Sequence, residues 1–135
     1  MIYDGENAIL GRLATRVAKQ ALNGEFVEII NAEKIVITGS TKTTIAEYKE
    51  RRGRRDIAKP VKSPKTPRRP DIMVRRAIRG MLPWQSQRGK DAYKRIKVYM
   101  GNFDSKEGEK IAQARQGQKT TQVLEVCKSL GWSGL

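Results

Sequence analysis

The sequence predicts an α/β fold on three observations. An apolar stripe at helical spacing runs through residues 7–23, two short β-branched runs follow at 26–30 (FVEII) and 35–38 (IVIT), and an alternating run, IKVYM at 96–100, comes after further helical stretches. Strands interleaved with amphipathic helices bury one another's apolar faces in layers, which is the α/β arrangement. A chain of 135 residues is long enough to bury one core without disulfide or metal staples. The expectation is a single domain over residues 1–135 with a basic, Pro/Arg-rich extension at about 51–70.

Tyr3 and its neighbours suit a short first strand, closed by a turn at Asp4-Gly5. In the helix that follows, Leu10, Leu13, Ala14, Val17, Ala18 and Ala21 share a face, Arg12, Arg16, Lys19 and Gln20 lie mostly off it, and Gly24 stands at a C-terminal cap position. The run at 35–38 suits a third strand or a continuation of the second, and residues 31–34 between the two runs are too few for a helical crossover and leave their pairing open. A second helix is expected from Ser40 or Thr41, either of which suits a cap, to about Glu50.

The stretch 71–83, DIMVRRAIRGMLP, predicts a third helix. Pro70 cannot continue a preceding helix, Asp71 suits the cap, and Pro83 forbids continuation. Val74, Ala77, Ile78 and Met81 fall on one face, and Arg75, Arg76 and Arg79 fall nearly opposite. A helical turn after Arg88-Gly89-Lys90 leads into IKVYM, where Ile96, Val98 and Met100 alternate with Lys97 and Tyr99, as in a strand with one wetter face at a sheet edge. Residues 101–117 are polar, with room for a short helix. Thr120 or Thr121 then caps a final helix whose stripe is Val123, Cys127 and Leu130 and whose end is Gly131.

Hydrophobic residues make up 38% of the chain, low for a packed domain, and charged residues 31%, which is high. The net charge of +14 is not spread evenly. Residues 1–48 carry five basic and six acidic side chains, residues 49–97 eighteen and four, and residues 98–135 five and four. The whole excess sits in the middle third, which a solubilising surface would not require. Such concentration calls for a polyanion, with nucleic acid first and an anionic membrane surface a distant second. The chain has neither an apolar run of about 18 residues nor a basic-then-apolar leader, so no membrane association or export is expected.

Within that third, residues 51–70 (RRGRRDIAKPVKSPKTPRRP) carry four prolines and few apolar residues. In isolation such a segment cannot bury enough surface to offset the entropy of ordering it, and reads as an extended arm that folds along a phosphate backbone. A plain basic linker or a nuclear-localisation-like run is the alternative. On the third helix, guanidinium groups are always ionised and present forked donors suited to phosphate oxygens, against the alternative of a solvated basic face. Trp84 and Tyr99 have rings that could stack on bases, though packing is the commoner role for such residues.

Cys127 is the single cysteine and histidine is absent, which excludes an intrachain disulfide and a Cys/His zinc site. Cys127 reads as a small buried hydrophobe. Neither GxxxxGK[ST] nor GxGxxG occurs, and no Ser/His or Cys/His pair is available. Neither a cofactor nor a small-molecule substrate is expected.

The segments AILGRLATRVAKQALNGEFVEIINAEKIVITGS, IMVRRAIRGMLP and RGKDAYKRIKVYMG resemble the universal large-subunit ribosomal protein thirteen family over roughly residues 5–102, with RAIRGMLP the most specific part. Asn102, Phe103, Asp104 and Ser105 stand where bacterial members often carry histidine, and the Pro/Arg-rich insertion resembles archaeal and eukaryotic members. The resemblance implies a three-layer α/β/α fold around a small, mostly parallel sheet. It also implies a non-enzymatic, cytoplasmic ribosomal component that binds large-subunit ribosomal RNA during early assembly, beside neighbouring large-subunit proteins. A free basic nucleic-acid-binding regulator outside the ribosome and a doubly wound nucleotide-using enzyme are the rival readings. The residues expected to meet RNA are Arg51, Arg52, Arg54, Arg55, Lys59, Lys62, Lys65, Arg68 and Arg69 on the arm, Arg75, Arg76 and Arg79 on the helix, and Arg88, Lys90, Lys94 and Arg95 beyond it. Their expected role is phosphate neutralisation and positioning, with little base reading.

Overall fold

β1 (Ile2–Asp4), α1 (Leu10–Leu22) and β2 (Val27–Ile30) form a parallel β-α-β unit on which the rest of the chain is laid. The computed structural model describes residues 1–102 and 104–134; Phe103 and Leu135 lie outside it. Tyr3 pairs with Ile29, and the sheet grows outward on both sides in the order β4-β2-β1-β5, every pairing parallel, with β4 at Ile96–Val98 and β5 at Glu109–Lys110. Helices packed around this parallel sheet give the α/β fold that the sequence predicts, in the three-layer arrangement that the family resemblance implies.

The six apolar residues of the α1 stripe are the six buried residues of that helix. The helix starts at Leu10 rather than Asn7 because Asn7 is left-handed (φ 55°) and Ala8 and Ile9 make β-bridges to Gln113 and Val36. Gly24, with φ 99°, closes its C-terminal end as expected. Phe26 stays outside β2 and is exposed.

The pairing left open by the sequence has a clear outcome. A 3-10 turn at Ala32–Lys34, entered through left-handed Asn31, carries β3 (Val36–Thr38) out of the main sheet to pair antiparallel with β6 (Thr120–Gln122). Thr120 and Thr121 are therefore strand residues, not caps. The N–H of Val123 also donates to the carbonyl of Ile35 at 2.8 Å, which delays α5 (Val123–Ser129) until after Gln122. Val123, Cys127 and Leu130 are buried as the stripe requires, and Gly131 ends the helix at φ 95°. Burial, reinforced by the charge of Asp71, pushes the Cys127 thiol up to about 12, in keeping with an inert packing residue.

Among the described residues of 101–117 there is no helix. Asn102 holds the loop instead, its side chain donating to the Lys106 carbonyl at 2.8 Å and accepting from the Lys106 N–H at 2.9 Å, local bonds that compete with helix formation. β4 lies at a sheet edge with Ile96 buried and Lys97 exposed, though it stops at Val98 rather than Met100. α2 (Thr41–Gly53) starts after Ser40 and runs three residues past the expected Glu50. The basic third, apart from Ile96 and Lys97 of β4 itself, thus lies within the long connection from β2 to β4, two adjacent parallel strands.

Candidate nucleic-acid interface

α3 (Pro70–Arg79) begins one residue early: Pro70 takes the first helical position, where its missing N–H costs nothing, and Asp71 falls in the first turn rather than at the cap. There Arg69 grips the Asp71 carboxylate with two bonds, 3.1 and 2.8 Å. The buried face is Met73, Val74 and Ile78, with Ala77 half-buried beside them. Met81 does not join it. The helix ends at Gly80, so Met81 leaves the helical phase and stays 43% exposed, while Leu82 turns inward.

The three arginines of α3 have three different environments. Arg75 is half-buried, its guanidinium carbon 4.5 Å from the centre of the Tyr93 ring and its Nε buried without an acceptor among the described residues. Arg76 is exposed and donates to the backbone carbonyl of Lys65. Arg79 is exposed and lies 5.0 Å over the Trp84 ring. The expected uniform outward face is therefore two exposed arginines and one packed against the body.

Arg51, Arg52 and Gly53 belong to the last turn of α2, not to the arm. Arg51 pairs with Glu47, and Arg54 with Glu50 at 3.2 Å, exposed i,i+4 pairs worth about 0.3–0.5 kcal/mol each, which phosphate can displace. Arg52 donates to the carbonyl of Thr66. Arg52 from α2 and Arg76 from α3 thus clasp successive carbonyls of the returning arm. The rest of the arm has one short 3-10 turn, Pro60–Lys62, and a tip closed by Asp56, which accepts from the N–H groups of Ala58 and Lys59 at 3.0 and 3.2 Å while its own N–H donates to Ser63 at 2.8 Å. Lys59 and Lys62 project at this exposed tip.

Between the arm, the end of α2 and the end of α5 lies an open cleft of about 550 Å³. Arg52, Arg55, Lys65 and Arg68 line it together with Lys49, while Ser129 and Leu130 close the far side. Lys49 was absent from the expected set, although it opens the basic segment of the sequence. A concave wall with five cations in it concentrates positive potential where a bent phosphate backbone could enter.

α4 (Gln87–Lys94) carries the last group, and it does not line the cleft. Arg88 and Lys90 are exposed, Lys94 sits 3.6 Å from Asp91, and Arg95 is half-buried, reaching the Ala21 carbonyl at 3.4 Å. Arg95 thus belongs to the body more than to the expected RNA face. The elbow before α4 is tightly built: Ser86 caps the helix by accepting from Gly89 N–H at 3.2 Å and donates to the Pro83 carbonyl at 2.9 Å. A Cβ at Gly89 would run into that same carbonyl, so glycine is required there.

Away from the middle third, charges neutralise one another across elements. Lys106 meets Glu28 at 2.9 Å, and that hydrogen bond is the main cause raising the Lys106 ammonium above its ordinary value. Glu6 is held below the ordinary carboxylate range, first by its hydrogen bond from Lys110 at 2.9 Å and then by the charges of Lys110 and Lys34. Among the described residues no group of three or more Cys, Asp and Glu side chains is placed to hold a metal ion, and no helix is long and apolar enough to cross a membrane.

Residues 1–105 match the family model described as Ribosomal protein L13. Among relatives, the protein named large ribosomal subunit protein uL13 from Methanocaldococcus jannaschii is 46% identical, the match covering 96% of each chain. Proteins of the same name from Methanosphaera stadtmanae and Archaeoglobus fulgidus are 43% and 40% identical, covering 96% and 99% of this chain and 96% and 89% of theirs. With the matched model spanning both the β-α-β unit and the basic connection, the chain belongs to the ribosomal protein L13 family.

Proposed function

We propose that this protein is a non-enzymatic structural constituent of the large ribosomal subunit, in the cytoplasm of an archaeal cell, that binds large-subunit ribosomal RNA and helps the subunit assemble. The whole chain acts as one domain: the α/β body is the anchor, and the arm with α3 and α4 is the RNA face. The observation that carries this reading is the segregation of charge, eighteen of the 28 basic residues lying within residues 49–97. Membership of a ribosomal protein family supports ribosomal RNA as that polyanion. Phosphate contacts fix position and carry little sequence information, which suits a protein whose partner is defined by assembly rather than by search. Neighbouring large-subunit proteins are its other partners.

Sedimentation of extract from cells expressing a tagged chain tests the proposal. The tagged protein is expected to migrate with the large subunit and to leave it when the salt is raised. A chain that stays at the top of the gradient at low salt, binding RNA or not, would contradict it and favour a free regulator.

A further inference from the structure

Trp84 is 37% exposed, a large ring held at a basic surface rather than sunk in the core. Its position is fixed twice over. Its backbone N–H donates to the Leu82 carbonyl at 2.8 Å within the elbow that Ser86 and Gly89 close, and its ring meets that of Tyr93 edge-on, centroids 5.2 Å apart at 88°. Tyr93 in turn carries Arg75 on its face, and Trp84 carries Arg79. Arginine, ring, ring and arginine form a ladder joining α3 to α4. Its outer rung is an exposed guanidinium with no carboxylate partner among the described ion pairs.

From this ladder we infer that Trp84 is a positioning residue: its indole holds the Arg79 guanidinium in the orientation in which it meets an RNA phosphate. The inference rests on the RNA-binding reading above. A free arginine side chain loses rotamer freedom when it docks, whereas one already lying on a ring has lost part of it before the RNA arrives. The ring attracts the cation through its quadrupole and leaves the N–H edge free to donate to phosphate oxygens. Trp84 therefore affects affinity through Arg79 without adding a phosphate contact of its own.

Binding of transcribed large-subunit ribosomal RNA across a salt series, with thermal melts of each variant, tests this. Arg79→Gln is expected to weaken binding and flatten the salt slope by about one unit. Trp84→Leu should weaken binding about three- to tenfold with the slope unchanged, and Trp84→Phe should restore most of the loss. In the Arg79→Gln background, Trp84→Leu should add nothing. A full Trp84→Leu effect in that background would overturn the inference, because the indole would then act on RNA or on the fold by itself. A silent Arg79→Gln would instead overturn the RNA reading of α3 and this inference with it. A second measurement keeps Trp84 in place: in a Trp132→Phe protein, RNA should shift the Trp84 emission, and Arg79→Gln should abolish that shift. Persistence of the shift would overturn the positioning role.

Discussion

The body and the basic connection of this protein handle charge in opposite ways. In the body, Glu28 finds Lys106 and Glu6 finds Lys34 and Lys110 across long sequence separations, so the acidic and basic groups of distant segments neutralise each other on the sheet. In the connection, pairs are local, such as Glu47 with Arg51 and Glu50 with Arg54, and the remaining cations are spent on carbonyls, rings or solvent. By count the body balances, ten basic side chains against ten acidic, whereas residues 49–97 carry eighteen against four. Stability should therefore reside in the first and affinity in the second.

The largest effect should come from the side of α3 that joins the body. Ile78 is fully buried in the core cluster, so Ile78→Ala is expected to cost about 2–5 kcal/mol by denaturant unfolding, with RNA affinity lost only in step with the folded fraction. A stable Ile78→Ala protein with weakened binding would blur the division. Next comes the contrast between two arginines on the same helix. Arg75→Gln should lower stability by about 1–2 kcal/mol because the side chain is half-buried with its guanidinium over the Tyr93 ring, whereas the exposed Arg79→Gln should change it by about 0.5 kcal/mol or less. Equal melts for the two would show that burial of Arg75 counts for little.

The two carbonyl clasps should matter less for stability and more for order. Arg52→Gln with Arg76→Gln is expected to leave the melt within about 1 kcal/mol while trypsin cuts the arm, at sites between Arg54 and Arg69, several-fold faster. Unchanged cleavage would mean that the clasps do not hold the arm. The smallest effect belongs to Glu6, whose carboxyl titrates below its unfolded value in the folded protein. Its contribution is present above the unfolded value and fades as pH falls through the lowered folded one, and because the group is exposed the change should be slight. Carbon-detected titration of Glu6 should show the depressed midpoint, and Lys110→Gln should return it toward the ordinary range.

The body was legible in the sequence because its signals are periodic. The α1 stripe, the buried positions of α5 and the edge position of β4 all follow from spacing and branching. What spacing could not give was decided by long-range backbone bonds. β3 left the main sheet to find β6, and the bond from Val123 to Ile35 turned two expected cap threonines into strand. At the candidate interface the charge run marks the middle third of the chain, but it does not tell which cations are committed to carbonyls, rings or the body. Arg75 and Arg95 proved half-buried, Arg52 and Arg76 clasp the arm, and Lys49 lines the cleft without having been singled out. Those assignments depend on where a loop returns in space, which a sequence without periodicity does not encode locally.

The division between a charge-balanced body and a basic connection is tested most directly by the salt dependence of binding to large-subunit ribosomal RNA. If about six to ten of the eighteen basic residues at 49–97 meet phosphates, log K should fall against log salt with a slope of about −4 to −9. Replacing the cleft residues Arg55, Lys65 and Arg68 together by Gln should make that slope shallower by about two to three units with the melt unchanged. A slope near zero in the parent protein, or a triple variant that keeps the parent's slope, would contradict a charge-driven interface in this cleft.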